Sequence, residues 1–117
     1  MKCNVCGCQL SADDFCPNCG ADVRSYKRIM GIANRFYNIG LEKAKVRDLS
    51  GAITDLRQCL KFNKDQVDAR NLLGLVYFET GEVVAALSEW VISKNIRPKK
   101  NIADDYLDRI QTNQTKL

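Results

Sequence analysis

Residues 67 to 98 read VDARNLLGLVYFETGEVVAALSEWVISKNIRP. Within this stretch Leu73-Gly74 is followed by Tyr77, then Gly81, then Ala86-x-x-x-Trp90, and Pro98 closes it. The spacing predicts two antiparallel helices joined at Gly81, because glycine passes a helix end at positive φ without a Cβ penalty. Gly74 and Ala86 are small where the two helices must approach, and Tyr77 and Trp90 fill the space beside them. Pro98 stops the second helix, since it lacks an N–H and clashes with the preceding turn. A shift of 34 residues places Gly40 on Gly74, Ala52 on Ala86 and Leu56 on Trp90. The chain repeats.

The order of small, aromatic and proline positions, with this period, resembles the tetratricopeptide repeat. That resemblance implies a mainly α fold of antiparallel helical hairpins, about five helices in all. Repeat one covers about 33–66, repeat two about 67–100, and a half repeat 101–117. In repeat one, Ile29, Ile32, Ala33, Phe36, Ile39 and Gly40 step by three or four, so a leading helix starts near Ser25. Asp48 is its successor's N-cap, and Leu49, Ala52, Ile53, Leu56, Cys59 and Leu60 form the buried face. Cys59 falls where such repeats want a small residue, and reads as a core filler. Lys43 and Lys64 stand where repeat two has Tyr77 and Pro98. Ile102, Tyr106, Leu107 and Ile110 give the last segment one apolar stripe.

Ahead of the helices, residues 1–24 carry Cys3-x-x-Cys6-Gly7 and Cys16-x-x-Cys19-Gly20. Paired Cys-x-x-Cys motifs fit a tetrahedral ion, with each glycine turning the backbone behind the second sulfur. The stretch MKCNVCGCQLSADDFCPNCG is similar to the short zinc ribbons that begin larger bacterial multidomain proteins. The expectation is one structural Zn2+ on Cys3, Cys6, Cys16 and Cys19, with a small β-hairpin whose tip is Ser11 to Asp14. Disulfides and a thioredoxin-type redox pair are the rival readings, and no βαβ context surrounds these cysteines. A lobe this short has too little core to fold without its metal. Cys8 reads as a bystander or as a spare ligand that swaps with Cys6.

The 117 residues carry a formal charge of +4, which falls to about +2 if four thiolates hold a divalent ion. That is too little to argue for nucleic acid. No histidine is present, which excludes Ser-His and Cys-His pairs. No paired carboxylates or phosphate loop point to an enzyme. The apolar runs are too short to span a bilayer. The reading is cytoplasmic, or the cytoplasmic part of a larger membrane protein.

What the repeat resemblance implies about function is a non-catalytic module whose first helices line a groove for a peptide or protein partner. In register, that groove presents Asn34, Tyr37, Leu41, Lys45, Asp68, Asn71, Leu75 and Phe78, with Arg109 reaching in from the last helix. Tyr37, Leu75 and Phe78 can equally be core. Some members clamp a C-terminal carboxylate; Asn38 matches one such place, but Leu72 fills its equivalent in repeat two. Two alternatives stay open. One is a nucleic-acid-associated adaptor using Arg24, Lys27, Arg28, Arg35, Lys43, Lys45 and Arg47, and the other a redox or zinc-release sensor. The half repeat leaves an end that a longer chain would continue, that a second copy would cover as a homodimer, or that stands alone.

Overall fold

The computed structural model describes the backbone of residues 1–115 and the side chains of 1–110, so the last two residues of the expected half repeat lie outside it. Five helices follow one another: α1 (Arg24–Lys45), α2 (Leu49–Phe62), α3 (Val67–Glu79), α4 (Val83–Ile96) and α5 (Ala103–Thr115). α1 packs against α2 and α3 against α4; α2 meets α3 and α4 meets α5. The radius of gyration is 16.4 Å with extents of 57 × 29 × 17 Å. A compact chain of this length has a radius of about 13 Å, so the helices are stacked along a line.

The 34-residue period survives into the coordinates. The bounds of α4 are those of α2 displaced by 34, and α3 ends 34 residues after α1. The reason is the interface between paired helices. Gly40 faces Leu56, and a Cβ there would lie 2.9 Å from Leu56 Cγ. Gly74 faces Trp90, and a Cβ there would fall inside the indole. Ala52 and Ala86, in the same register, are fully buried. The turns correspond too: Arg47 and Gly81 both take positive φ, 66° and 87°. Repeat one therefore holds a side chain in the left-handed region where repeat two uses glycine.

Caps follow local chemistry. The Asp48 carboxylate accepts the Gly51 amide at the start of α2. The Asp22 carboxylate accepts the Arg24 amide at the start of α1, one residue earlier than Ser25. Cys59 is fully buried, its thiol donates to Gln66 Oε1 at 3.3 Å, and burial pushes its pKa up to about 11. It is a core residue.

Two details of the expected core change. Ile102 is 52% exposed, and Ala103 takes its place against Ala86 and Trp90, with Tyr106, Leu107 and Ile110 alongside. Ile29 and Ile39 are exposed, leaving Ala33, Phe36 and Gly40 as the inner face of α1. No described helix is long and apolar enough to cross a membrane.

Gly74 and Gly31 make a paired test. Nothing lies within 4 Å of a Cβ built on Gly31, in the middle of α1. Gly74→Ala is expected to cost about 1–3 kcal/mol by overpacking, and Gly31→Ala to gain about 0.5–1 kcal/mol by stiffening the unfolded chain. Urea unfolding followed by circular dichroism measures both. Equal effects of the two would contradict the packing described here.

Candidate metal centre

The first 23 residues are a 13-residue unit written twice. Lys2 bridges Gln9 and Phe15 bridges Asp22, each as an isolated antiparallel bridge. The Cys3 amide donates to the Cys8 carbonyl and the Cys16 amide to the Ala21 carbonyl, both at 2.8 Å. Gly7 donates to Cys3 and Gly20 to Cys16, with φ of 80° and 74°. Leu10 returns to Met1 as Val23 returns to Asp14. Each Cys-x-x-Cys turn thus closes on itself. No strand occurs among the described residues, so the single hairpin with its tip at Ser11–Asp14 is replaced by two closed turns lying face to face.

The two turns bring Cys3, Cys6, Cys16 and Cys19 together, with all four sulfurs within 4.8 Å of one another. The Cys3 and Cys19 sulfurs are 3.8 Å apart, and those of Cys6 and Cys16 are 3.6 Å apart. These are free thiols, not disulfides. Four cysteines so placed could hold a metal ion.

Backbone amides point at the same sulfurs. Cys3 accepts from Val5 at 3.4 Å. The Cys8 amide, and then the Asn18 side chain, hold Cys6 down to about 5. Cys16 is lowered by the amide of Cys19, by Cys8 and by the amide of Asn18. At Cys19 the Ala21 amide pulls down, but desolvation and the three neighbouring sulfurs raise it to about 11. Each of the four therefore receives an N–H from the residue two ahead, which favours thiolate and hence a cation.

Cys8 is different. Its sulfur lies 3.0 Å from that of Cys16, nearer than either cross-pair above. Yet its thiol is pushed up to about 12, first by its hydrogen bond to Cys16 and then by Cys6. In the 13-residue register its counterpart is Ala21, which offers no ligand. Cys8 keeps its proton and packs beside Leu10 against Cys3, Cys16 and Val23.

This lobe runs into α1 with no linker. Val23 is fully buried under the sulfurs and is also the residue before α1. Lys27, on the first turns of α1, donates to the carbonyls of Ser11 and, at 2.7 Å, Asp13. Arg24 binds Asp22 at 2.7 Å and lies over the Phe15 ring. Neither the 13-residue duplication nor the Lys27 clamp entered the reading of the sequence; the duplication was visible there, in the shared spacing of Cys, Cys and Gly.

The helical residues expected to line a groove divide. Tyr37 and Asp68 come together: burial and then the Asp68 carboxylate raise the Tyr37 hydroxyl. Asn34, Lys45, Asp68, Phe78 and Arg109 are exposed, and Leu41 is half-buried. Asn71 is buried, contrary to its expected display. Its amide donates to Asn101 Oδ1 at 2.9 Å, and Asn101 in turn binds Ser93 and the Arg97 carbonyl. Leu75 packs on the Trp90 cluster, and the Phe78 ring lies 6.2 Å from that of Trp90. Most of the leading basic residues are engaged as well. Lys43 pairs with Asp55 at 2.6 Å, Lys45 with Glu42, and Arg47 with Glu79.

No family model matches the chain, and no curated protein matches it.

If the four-sulfur set is the metal site, the purified chain carries one ion, and Cys16→Ser loses it while Cys8→Ser and Cys59→Ser keep it. Elemental analysis of the four proteins measures this. A chain that loses its ion on Cys8→Ser would move the site.

Proposed function

We propose that this chain is a non-catalytic interaction module of the tetratricopeptide type, fronted by a lobe that holds one structural zinc ion. The 34-residue recurrence of helix bounds, with glycine set against a large residue in both pairs, carries the repeat reading. Zinc is supported by the sulfur spacing. A tetrahedron with Zn–S bonds of about 2.3 Å has edges of about 3.8 Å, against the 3.8 and 3.6 Å of the two cross-pairs. Bound there, the ion would cross-link two turns that share little apolar core. Four thiolates leave it no open position, which favours structure over catalysis. Unoxidised thiols suit a reducing compartment, and the proposed location is the cytoplasm.

The face shared by α1 and α3 is the proposed groove for a protein or peptide. Asn34, Tyr37, Leu41, Lys45 and Asp68 form its first part, with Phe78 and Arg109 further along. The burial of Asn71 removes one hydrogen-bonding group from its floor. A nucleic-acid role is disfavoured by the ion pairs of Arg24, Lys43, Lys45 and Arg47 and by the clamp role of Lys27. Of that set only Arg28 and Arg35 lack a partner among the described residues.

One observation favours a second reading, a redox sensor. With Cys8 and Cys16 sulfurs 3.0 Å apart, a peroxide could take two electrons from the pair, joining them as a disulfide with release of two waters. Cys16 would then be lost as a ligand. Peroxide-driven zinc release that vanishes in Cys8→Ser would support it.

Asn34→Arg with Asp68→Arg tests the groove, since both positions are exposed. The double variant should recover at least about tenfold less of the protein partners that the wild-type chain captures from a cell lysate. Its circular dichroism and zinc content should be unchanged. Recovery of the same partners in equal amount would remove the groove assignment.

A further inference from the structure

We infer that the outer face of α4 is a self-association surface, on which a second copy of this chain docks antiparallel about a two-fold axis through Ser88. The face is apolar and open. Val84 is 79% exposed, Val91 48% and Ile92 39%, and with Leu87 and Ser88 they line one shallow depression. Positions 84, 87, 88, 91 and 92 follow the spacing of a helix-packing stripe. The opposite side of α4, with Ala86, Trp90 and Ser93, is already buried. A helix apolar all round belongs in an interior.

The internal repeat says that ordinary stacking does not cover this face. Displaced by 34, the same positions on α2 are Ser50, Ile53, Thr54, Arg57 and Gln58. Repeat two is stacked on repeat one, yet Ile53, Thr54, Arg57 and Gln58 border an open cavity. Four of these five α2 residues are polar, as a wet surface requires. On α4 four of the five are apolar, so its occupant is something other than the next repeat.

Charge selects the occupant and its direction. The two charged residues of α4 are turned away to intramolecular partners, Glu89 to Arg70 at 2.9 Å and Lys94 to Asp104 at 2.8 Å. The stripe itself is uncharged and can meet its own copy without repulsion. Glu79 and Glu82 precede it, whereas Arg97, Lys99 and Lys100 follow. A parallel pair would set like charge on like, and an antiparallel pair sets each acidic end over the other's basic end. Centred on Ser88, that pairing puts Val84 opposite Ile92 twice, with the small serine at the crossing. Such an interface is isologous and closes as a dimer. One helix face buries less than the roughly 800 Å2 per partner of a tight complex, so the affinity belongs in the micromolar range.

Sedimentation equilibrium of the metal-loaded 117-residue chain tests this. Wild type should dimerise, and Val84→Glu with Val91→Glu should raise the dissociation constant at least about tenfold. Both sites are exposed, so circular dichroism should not change. Glu82→Lys alone and Arg97→Glu alone should each weaken the dimer, and the two together should restore it. A chain monomeric up to about 1 mM, a dimer indifferent to the two glutamates, or no rescue by the double reversal would overturn the proposal.

Discussion

The contact on which most of the helical structure depends is the indole of Trp90 lying across Gly74. It requires a residue without a side chain on α3, and in return one large apolar ring spans three helices. Its Nε1–H donates to the Asn71 carbonyl at 3.2 Å, and its ring lies 5.1 Å from Tyr106 of α5. Asn71 then reaches Asn101 in the link before α5, whose Oδ1 also accepts the Ala103 amide. Packing and a buried polar chain thus set the position of α5 together. A buried network of this kind is costly when half-made, which favours one arrangement over its neighbours.

The cysteine lobe is organised on a different principle. It has almost no core beyond Val23, Leu10 and its own sulfurs. Its shape comes from two copies of one turn, each fixed by a positive-φ glycine and by amides aimed at sulfur. Val23 and Lys27 weld it to α1, so ligand geometry and the start of the first helix are one piece. A partner seated along α1 would meet a surface whose near end is set by the cysteines.

What could be read beforehand was whatever local spacing determines. Cys3, Cys6, Cys16 and Cys19 were legible from the doubled motif, and the Gly40–Leu56 and Gly74–Trp90 pairs from the 34-residue period. Cys59 and Asp48 likewise stand where their chemistry suggested. What escaped needed contacts distant in sequence. Asn71 looks exposed in the register of one helix and is buried because Asn101 lies 30 residues away. Lys43 and Arg47 look like free cations until Asp55 and Glu79 are placed beside them. The hairpin was expected because nine residues separate the cysteine pairs, whereas each pair closes on its own flanks.

A double-mutant cycle between positions 74 and 90 tests the central claim most directly. Gly74→Ala, Trp90→Leu and the double variant would be compared by urea unfolding. If the indole occupies the space a Cβ would need, Trp90→Leu should remove most of the cost of Gly74→Ala, leaving a coupling of about 1 kcal/mol or more. Costs that simply add, within about 0.3 kcal/mol, would mean that α3 and α4 do not meet through this contact.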